Sequence, residues 1–179
     1  MRPRHRIRSR TPRDAHAVRD LLTLAFPTDA EARLVETLAA AKHLCMALVA
    51  ERAAAGTIAD TTTGHIAGYI AFSPVTLDGQ PTDGVGLAPL AVHPDDRRVG
   101  LGAALINTGL ERCAENGSAF AVVLGDPNYY TRFGFVPASR AGLDSIYQAG
   151  DAFMTRELTP GGIPRPGLIR YAPAFDDLE

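Results

Sequence analysis

The chain has 179 residues, 46% hydrophobic and 21% charged, with a formal net charge of −2 at neutral pH. That length suits one domain, 1–179, with enough chain to bury a substantial core. The near-neutral balance gives no global pull toward nucleic acid, and no apolar run approaches the ~20 residues of a membrane helix. A secretory leader pattern is missing, and the two cysteines, Cys45 and Cys113, sit among apolar neighbours. They read as buried thiols in a reducing cytoplasm. Neither has metal-ligand spacing to the five histidines, so no metal is expected.

In chain order, Arg2, Arg4, Arg6, Arg8, Arg10 and Arg13 crowd the start. Without interleaved aromatics they read as a solvated tail, 1–5, running into an edge strand around Ile7 to Arg10 rather than as a nucleic-acid arm. Thr11-Pro12-Arg13-Asp14 starts a helix whose Val18, Leu21, Leu22 and Ala25 share a face, and Phe26-Pro27 ends it. Thr28 and Glu31 have capping-box spacing, which predicts a second helix to about Lys42 with Leu34, Val35 and Leu38 inward. Cys45 to Glu51 and His65 to Pro74 read as an antiparallel strand pair, joined by a surface loop over 52–64 that is rich in Ala, Thr and Gly. Asp78-Gly79-Gln80-Pro81 marks a turn into the apolar strand Leu87 to Pro94, read as buried on both faces.

After that strand come Asp95-Asp96-Arg97-Arg98, and then Val99-Gly100-Leu101-Gly102 opens a helix that runs to about Asn116. Unpaired N–H groups and the dipole of a helix N-terminus favour an anion, and glycine leaves room for a bulky one. A nucleoside-triphosphate loop would need Gly-Lys-Ser/Thr, but Ala103 and Ala104 follow Gly102 and the chain's one lysine is Lys42. A dinucleotide fingerprint would need a small residue where Leu105 stands. What fits is Gln/Arg-x-x-Gly-x-Gly/Ala, carried by Arg97, Gly100 and Gly102; a plain structural turn and cap remains the competing reading.

Beyond Gly117, Ala119 to Leu124 reads as a second buried strand, parallel to the first by a right-handed crossover. Pro127 then opens a very short helix through Asn128-Tyr129-Tyr130, ended by Gly134 before Phe135. The Arg97/Gly100/Gly102 pattern, Tyr130 four residues before Gly134-Phe135, the Leu-Ala-Pro-Leu-Ala-Val strand, Phe72-Ser73-Pro74 and the ending Tyr171-Ala172-Pro173-Ala174-Phe175 are together similar to the GNAT superfamily of N-acetyltransferases. Within it they resemble a branch of predicted bacterial enzymes whose acceptors are unassigned. The likeness spans about Arg6 to Phe175. It implies an α/β (α+β) fold: a mixed, mostly antiparallel twisted sheet with a central splayed parallel strand pair and flanking helices. It also implies acetyl-CoA as the acyl donor and an unidentified amine as acceptor.

On that resemblance, Leu90, Ala91 and Val92 would meet the pantetheine arm, and Arg97, Arg98, Val99, Gly100, Leu101, Gly102 and Ala103 the diphosphate. Asn128, Tyr130 and Arg132 would complete the cofactor side. Transfer proceeds by amine attack on the thioester through a tetrahedral intermediate, which needs an N–H for the oxyanion and a proton for the thiolate. Leu90 or Ala91 would supply the first. Tyr130 would supply the second, since a phenol of pKa ~10 stays protonated near neutrality; anchoring the short helix is its alternative role. Glu31, Asp83 and His93 each have a claim to be the base, and Ser73 to line the acceptor pocket. The second function class is an acyl-CoA sensor that keeps the cleft without catalysis. Oligomeric state, a homodimer included, stays open. In the tail, Ala152 to Leu158 and Gly167 to Tyr171 read as strands, expected as an antiparallel pair walling the acceptor site.

Overall fold

Four strands run as an antiparallel meander: β1 (His5–Ser9), β2 (Met46–Arg52), β3 (His65–Leu77) and β4 (Gln80–Val92). The computed structural model describes residues 5–52 and 65–178. β3 and β4 turn at Asp78-Gly79, both with positive φ, the two-residue geometry that matches strand twist. β5 (Phe120–Leu124) then lies parallel to β4, which gives the mixed sheet its central parallel pair. The remaining strands are β6 (Val136–Pro137), β7 (Leu143–Ser145), β8 (Phe153–Glu157) and β9 (Gly167–Arg170).

The two expected C-terminal strands form, but not as a pair. β8 joins β5 and β6, whereas β9 runs antiparallel to the end of β3 and parallel to β7. The cause is the β3–β4 turn. The Asp78 carboxylate accepts from the Leu168 N–H at 2.9 Å and pairs with Arg165, while its own N–H donates to Leu168 O at 2.8 Å. That anchors the segment to the hairpin tip.

Helices cover both faces of the sheet, which is why β3 and β4 are nearly continuously apolar. α1 (Ala15–Ala25) and α2 (Ala30–Ala40) lie on one side, where Val18, Leu21, Leu22 and Val35 pack with Val49, Tyr69, Ala71 and Ala91. α3 (Leu101–Glu115) lies on the other, with Leu105, Ile106 and Leu110 against Leu48, Ile70, Leu87 and Val123. A Cβ at Gly109 would stand 2.5 Å from the Phe72 ring, so the missing side chain lets α3 seat directly on the aromatic. α4 (Pro127–Tyr130) follows β5 and continues as a 3-10 turn over Thr131–Phe133.

Several local expectations shift. The helix expected from Thr11 begins as a separate 3-10 turn, Pro12–Asp14. Asp29, not Thr28, is the N-cap residue of α2; its carboxylate holds Arg33 at 2.5 Å, while Thr28 Oγ1 accepts the Ala30 N–H at 3.3 Å, and the one-residue shift takes Glu31 out of capping-box register. His5 belongs to β1 rather than to a tail, and Arg52 to β2 rather than to the loop; 1–4 and 53–64 lie outside the described residues. Cys113 is buried but Cys45, just before the start of β2, is exposed. Among the described residues no helix is long and apolar enough to cross a membrane.

Candidate active site

The site begins where β4 and β5 part. Their pairing runs from Gly84–Phe120 to Leu87–Val123 and stops. Just beyond, β4 spends the three steps from Leu87 to Leu90 against two on β3, from Phe72 to Ile70, so a bulge falls at Ala88 and Pro89, whose peptide bond is cis. The His93 N–H donates to Ala67 O on β3 at 2.8 Å. Antiparallel alternation then turns the Ala91 backbone groups toward β3 as well, and those of Leu90 and Val92 toward the opened edge. The Ala91 side chain is buried against α1, whereas Leu90 and Val92 lie on the α3 side. An opened strand edge is what an extended, amide-bearing ligand can join.

At one end of that edge lies a cavity of about 480 Å³, bounded by Val92, by Arg97, Arg98, Gly100, Leu101, Gly102 and Ala103, and by Tyr129 and Arg132 across from them. Ala104 donates the first i→i−4 bond of α3, to Gly100 O at 3.0 Å, so the preceding amides have no partner inside the helix. Gly100 has φ +86° and open space where a Cβ would stand. The Arg132 guanidinium lies 4.5 Å from the Tyr129 ring centroid and its Nε donates to Tyr129 O at 3.2 Å, which holds its charge at the rim. Three of the residues expected to meet the cofactor line neither this cavity nor the one at Tyr130: Ala91 is buried, Val99 is exposed, and Asn128 is exposed with its N–H donated to Asp126 Oδ1.

Asp96 supports this turn from below. It is fully buried, and its carboxylate accepts from His5 Nε2 at 2.8 Å and from Arg52. Burial pushes the Asp96 carboxyl up, but the Arg52 and His5 hydrogen bonds outweigh it and leave the group below its ordinary value. His65 and His93 bring ring nitrogens near the same carboxylate, all within 4.8 Å of one another.

At the other end is a cavity of about 520 Å³. One wall is the bulge of β4, Leu87 to Leu90; the opposite wall is Leu124 and Tyr130. Phe26 and Glu31 enter from the α1–α2 side, and Tyr147, Tyr171, Phe175 and Leu178 from the C-terminal third. Tyr130 borders the gap between the two cavities. Its ring lies over Gly125, where a Cβ would meet it at 2.4 Å, and edge-on to Tyr129, Phe133 and Phe135. Burial pushes the Tyr130 phenol up to about 12. The Tyr171 hydroxyl and Glu31 Oε2 are buried without a hydrogen-bond partner among the described residues.

Of the three candidate bases, Glu31 alone reaches this cavity. Asp83 is exposed at the start of the parallel pairing, and His93 packs edge-on to His65 beside Asp96. Ser73 is fully buried and lines neither cavity. Tyr129, which the sequence offers as packing or as a wall of the acceptor pocket, lines the other cavity, beside the 97–103 turn. Gly125, the seat of the Tyr130 ring, has no sequence signal beyond its place before Pro127. Tyr147 and Leu178 carried no signal at all.

Comparison with known proteins agrees with this geometry. A family model for the acetyltransferase (GNAT) domain matches residues 6–138. The uncharacterized N-acetyltransferase YhbS of Escherichia coli is 37% identical over 172 residues, covering 95% of this chain and 98% of its own. YjhQ of the same organism, also an uncharacterized N-acetyltransferase, is 32% identical over 166 residues, 89% of this chain and 87% of its own. The crystal structure of E. coli YhbS in complex with CoA superposes with a TM-score of 0.88, covering 97% of this chain and 93% of that one. A Brucella melitensis GNAT acetyltransferase in complex with acetyl-CoA gives 0.77 at 32% identity, covering 97% and 99%. An opened parallel strand pair, a phosphate-type turn at a helix N-terminus and these matches lead to one assignment: the chain belongs to the GNAT family of acetyltransferases.

Proposed function

We propose that residues 1–179 form a single acyltransferase domain that moves acetyl from acetyl-CoA to a primary amine. One observation carries the reading: the opened edge of β4 runs between two cavities, with Val92 lining the one at the amide-rich turn 97–103 and Leu90 the one at Tyr130. That order suits a ligand with an anionic head, an amide-bearing arm and a reactive tip. The CoA and acetyl-CoA complexes of the two relatives support the same donor here.

In this reading the amides of Leu101 to Ala103 and the Arg97, Arg98 and Arg132 side chains hold the diphosphate. Leu90 and Val92 extend their backbone groups to the pantetheine arm. The Leu90 N–H, on the opened edge, takes the developing oxyanion; Ala91, turned to β3, leaves that role to it. Tyr130 stays protonated and donates a hydrogen bond to the departing sulfur. Complete transfer from a phenol near 12 to a thiolate near ~8.5 would run uphill by roughly 5 kcal/mol. The sulfur therefore gains its proton as it leaves the cleft, with Tyr130 stabilising the charge in the meantime.

The test is release of free thiol from acetyl-CoA in the presence of a panel of primary amines. Thiol appearing in step with acetylated amine supports transfer. Tight acetyl-CoA binding with no thiol release across the panel would replace it with a sensor.

A further inference from the structure

The side chains lining the Tyr130 cavity are mostly apolar, and their polar atoms are the Glu31 carboxylate and the hydroxyls of Tyr130, Tyr147 and Tyr171. Phe26 follows α1, Leu34 lies on α2, Tyr147 stands between β7 and β8, and Phe175 and Leu178 belong to the C-terminal turn. Within this lining Glu31 is the one side chain with a formal charge at neutral pH. The neighbouring arginines are committed elsewhere, Arg33 to Asp29 and Arg19 to Glu36 and Asp29. The capping bond that would have occupied Glu31 is not formed, and Oε2 is left buried with no partner among the described residues. Leaving a carboxylate oxygen buried and unpaired is costly, and a ligand cation would relieve it.

Resting on the transferase reading of this same cleft, we infer that Glu31 receives the acceptor's ammonium group and that the acceptor is a monoamine with an aromatic or alkyl body. A second ammonium inside the cavity would be stripped of water among Phe26, Leu34 and Phe175 with no carboxylate to meet it. Asp176 acts on the Tyr147 phenol from outside the lining. Polyamines and aminosugars are therefore poor fits. Leu124 and Tyr147 remain partly exposed, at 45% and 40%, so an apolar body longer than the cavity has a surface to lie on. In the reaction the ammonium gives one proton to the Glu31 carboxylate and on to water. The neutral nitrogen then bonds to the thioester carbon, the C–S bond breaks, and the nitrogen's second proton ends on the CoA sulfur.

Calorimetry on the full-length, CoA-saturated protein tests this with 2-phenylethylamine and spermidine as probes. Binding of 2-phenylethylamine at least about tenfold tighter than spermidine supports the proposal, provided Glu31→Gln weakens it by about tenfold or more and leaves CoA affinity unchanged. Glu31→Asp should recover part of the loss, which mere disturbance of α2 would not allow. Spermidine binding more tightly, no 2-phenylethylamine binding, or equal binding in Glu31→Gln overturns it. Rapid thiol release from octanoyl-CoA without 2-phenylethylamine binding also overturns it, since the cavity would then house the acyl chain. The transferase reading fails separately: 2-phenylethylamine binds through Glu31, yet no thiol is released from acetyl-CoA.

Discussion

At the scale of single residues, two positions separate binding from chemistry. Gly100 holds φ +86° at the mouth of the phosphate-side cavity. A β-branched residue is a conformational outlier there and would put two methyl groups where an anion must approach. Gly100→Val should abolish acetyl-CoA binding by calorimetry while thermal melting shows a folded protein; wild-type affinity in that folded variant would move the diphosphate elsewhere. In the proposed reaction Tyr130 acts on the leaving group. Tyr130→Phe should lower kcat by roughly 10- to 100-fold and leave the acetyl-CoA KM within about threefold. With the phenol near 12, the wild-type rate should show no alkaline limb from Tyr130 below about pH 11. An unchanged kcat between pH 7 and 9 in the variant would return Tyr130 to a packing role.

At the scale of elements, the join between β1 and α1 rests on Asp14. Its carboxylate accepts from the Thr11 N–H at 2.7 Å and from Arg8 at 2.7 and 2.8 Å, and Arg8 also reaches Glu51 on β2. The Arg8 hydrogen bonds, against burial, bring Asp14 from 3.8 down to about 2. A folded-state value below the unfolded one means the contribution is present above about pH 4 and is lost as pH falls toward 2, roughly 2 kcal/mol in all. Asp14→Asn should lose that amount at pH 7 and show a flatter stability curve between pH 4 and 2; parallel curves for the two proteins would contradict it. Elements like these are legible from sequence because their signals are local. The 3.6-residue spacing of Val18, Leu21, Leu22 and Ala25 needs no distant partner, nor does the turn of Arg97, Gly100 and Gly102. β9 was misplaced because Asp78, some 90 residues earlier, decides where Leu168 docks. The cavity walls were illegible for the same reason, since Phe26, Tyr147 and Phe175 meet only after the chain has folded.

At the scale of the molecule, the two cavities are supported differently. The Tyr130 cavity is walled largely by apolar side chains from remote segments, but the 97–103 turn is tied to the far edge of the sheet by one carboxylate. Asp96 ends the 3-10 turn Pro94–Asp96 that leads into Arg97, and it joins that turn to His5 on β1 and Arg52 on β2. Edge strands, the 97–103 turn and the end of β4 are therefore linked through one group, and on the proposed reading loosening the tie should be felt as lost donor affinity. Removing one partner of a buried ion pair costs about 3 kcal/mol, or roughly 6–12 °C in a chain of this size. Asp96→Ala should melt lower by that amount, bind acetyl-CoA about tenfold more weakly, and keep its amine KM at saturating acetyl-CoA. With Asp96 held below its ordinary value, its support is complete above that value and fades as pH falls further. A variant that melts lower yet binds acetyl-CoA with wild-type affinity would mean that the turn holds its shape unaided, and that Asp96 stabilises the sheet edge alone.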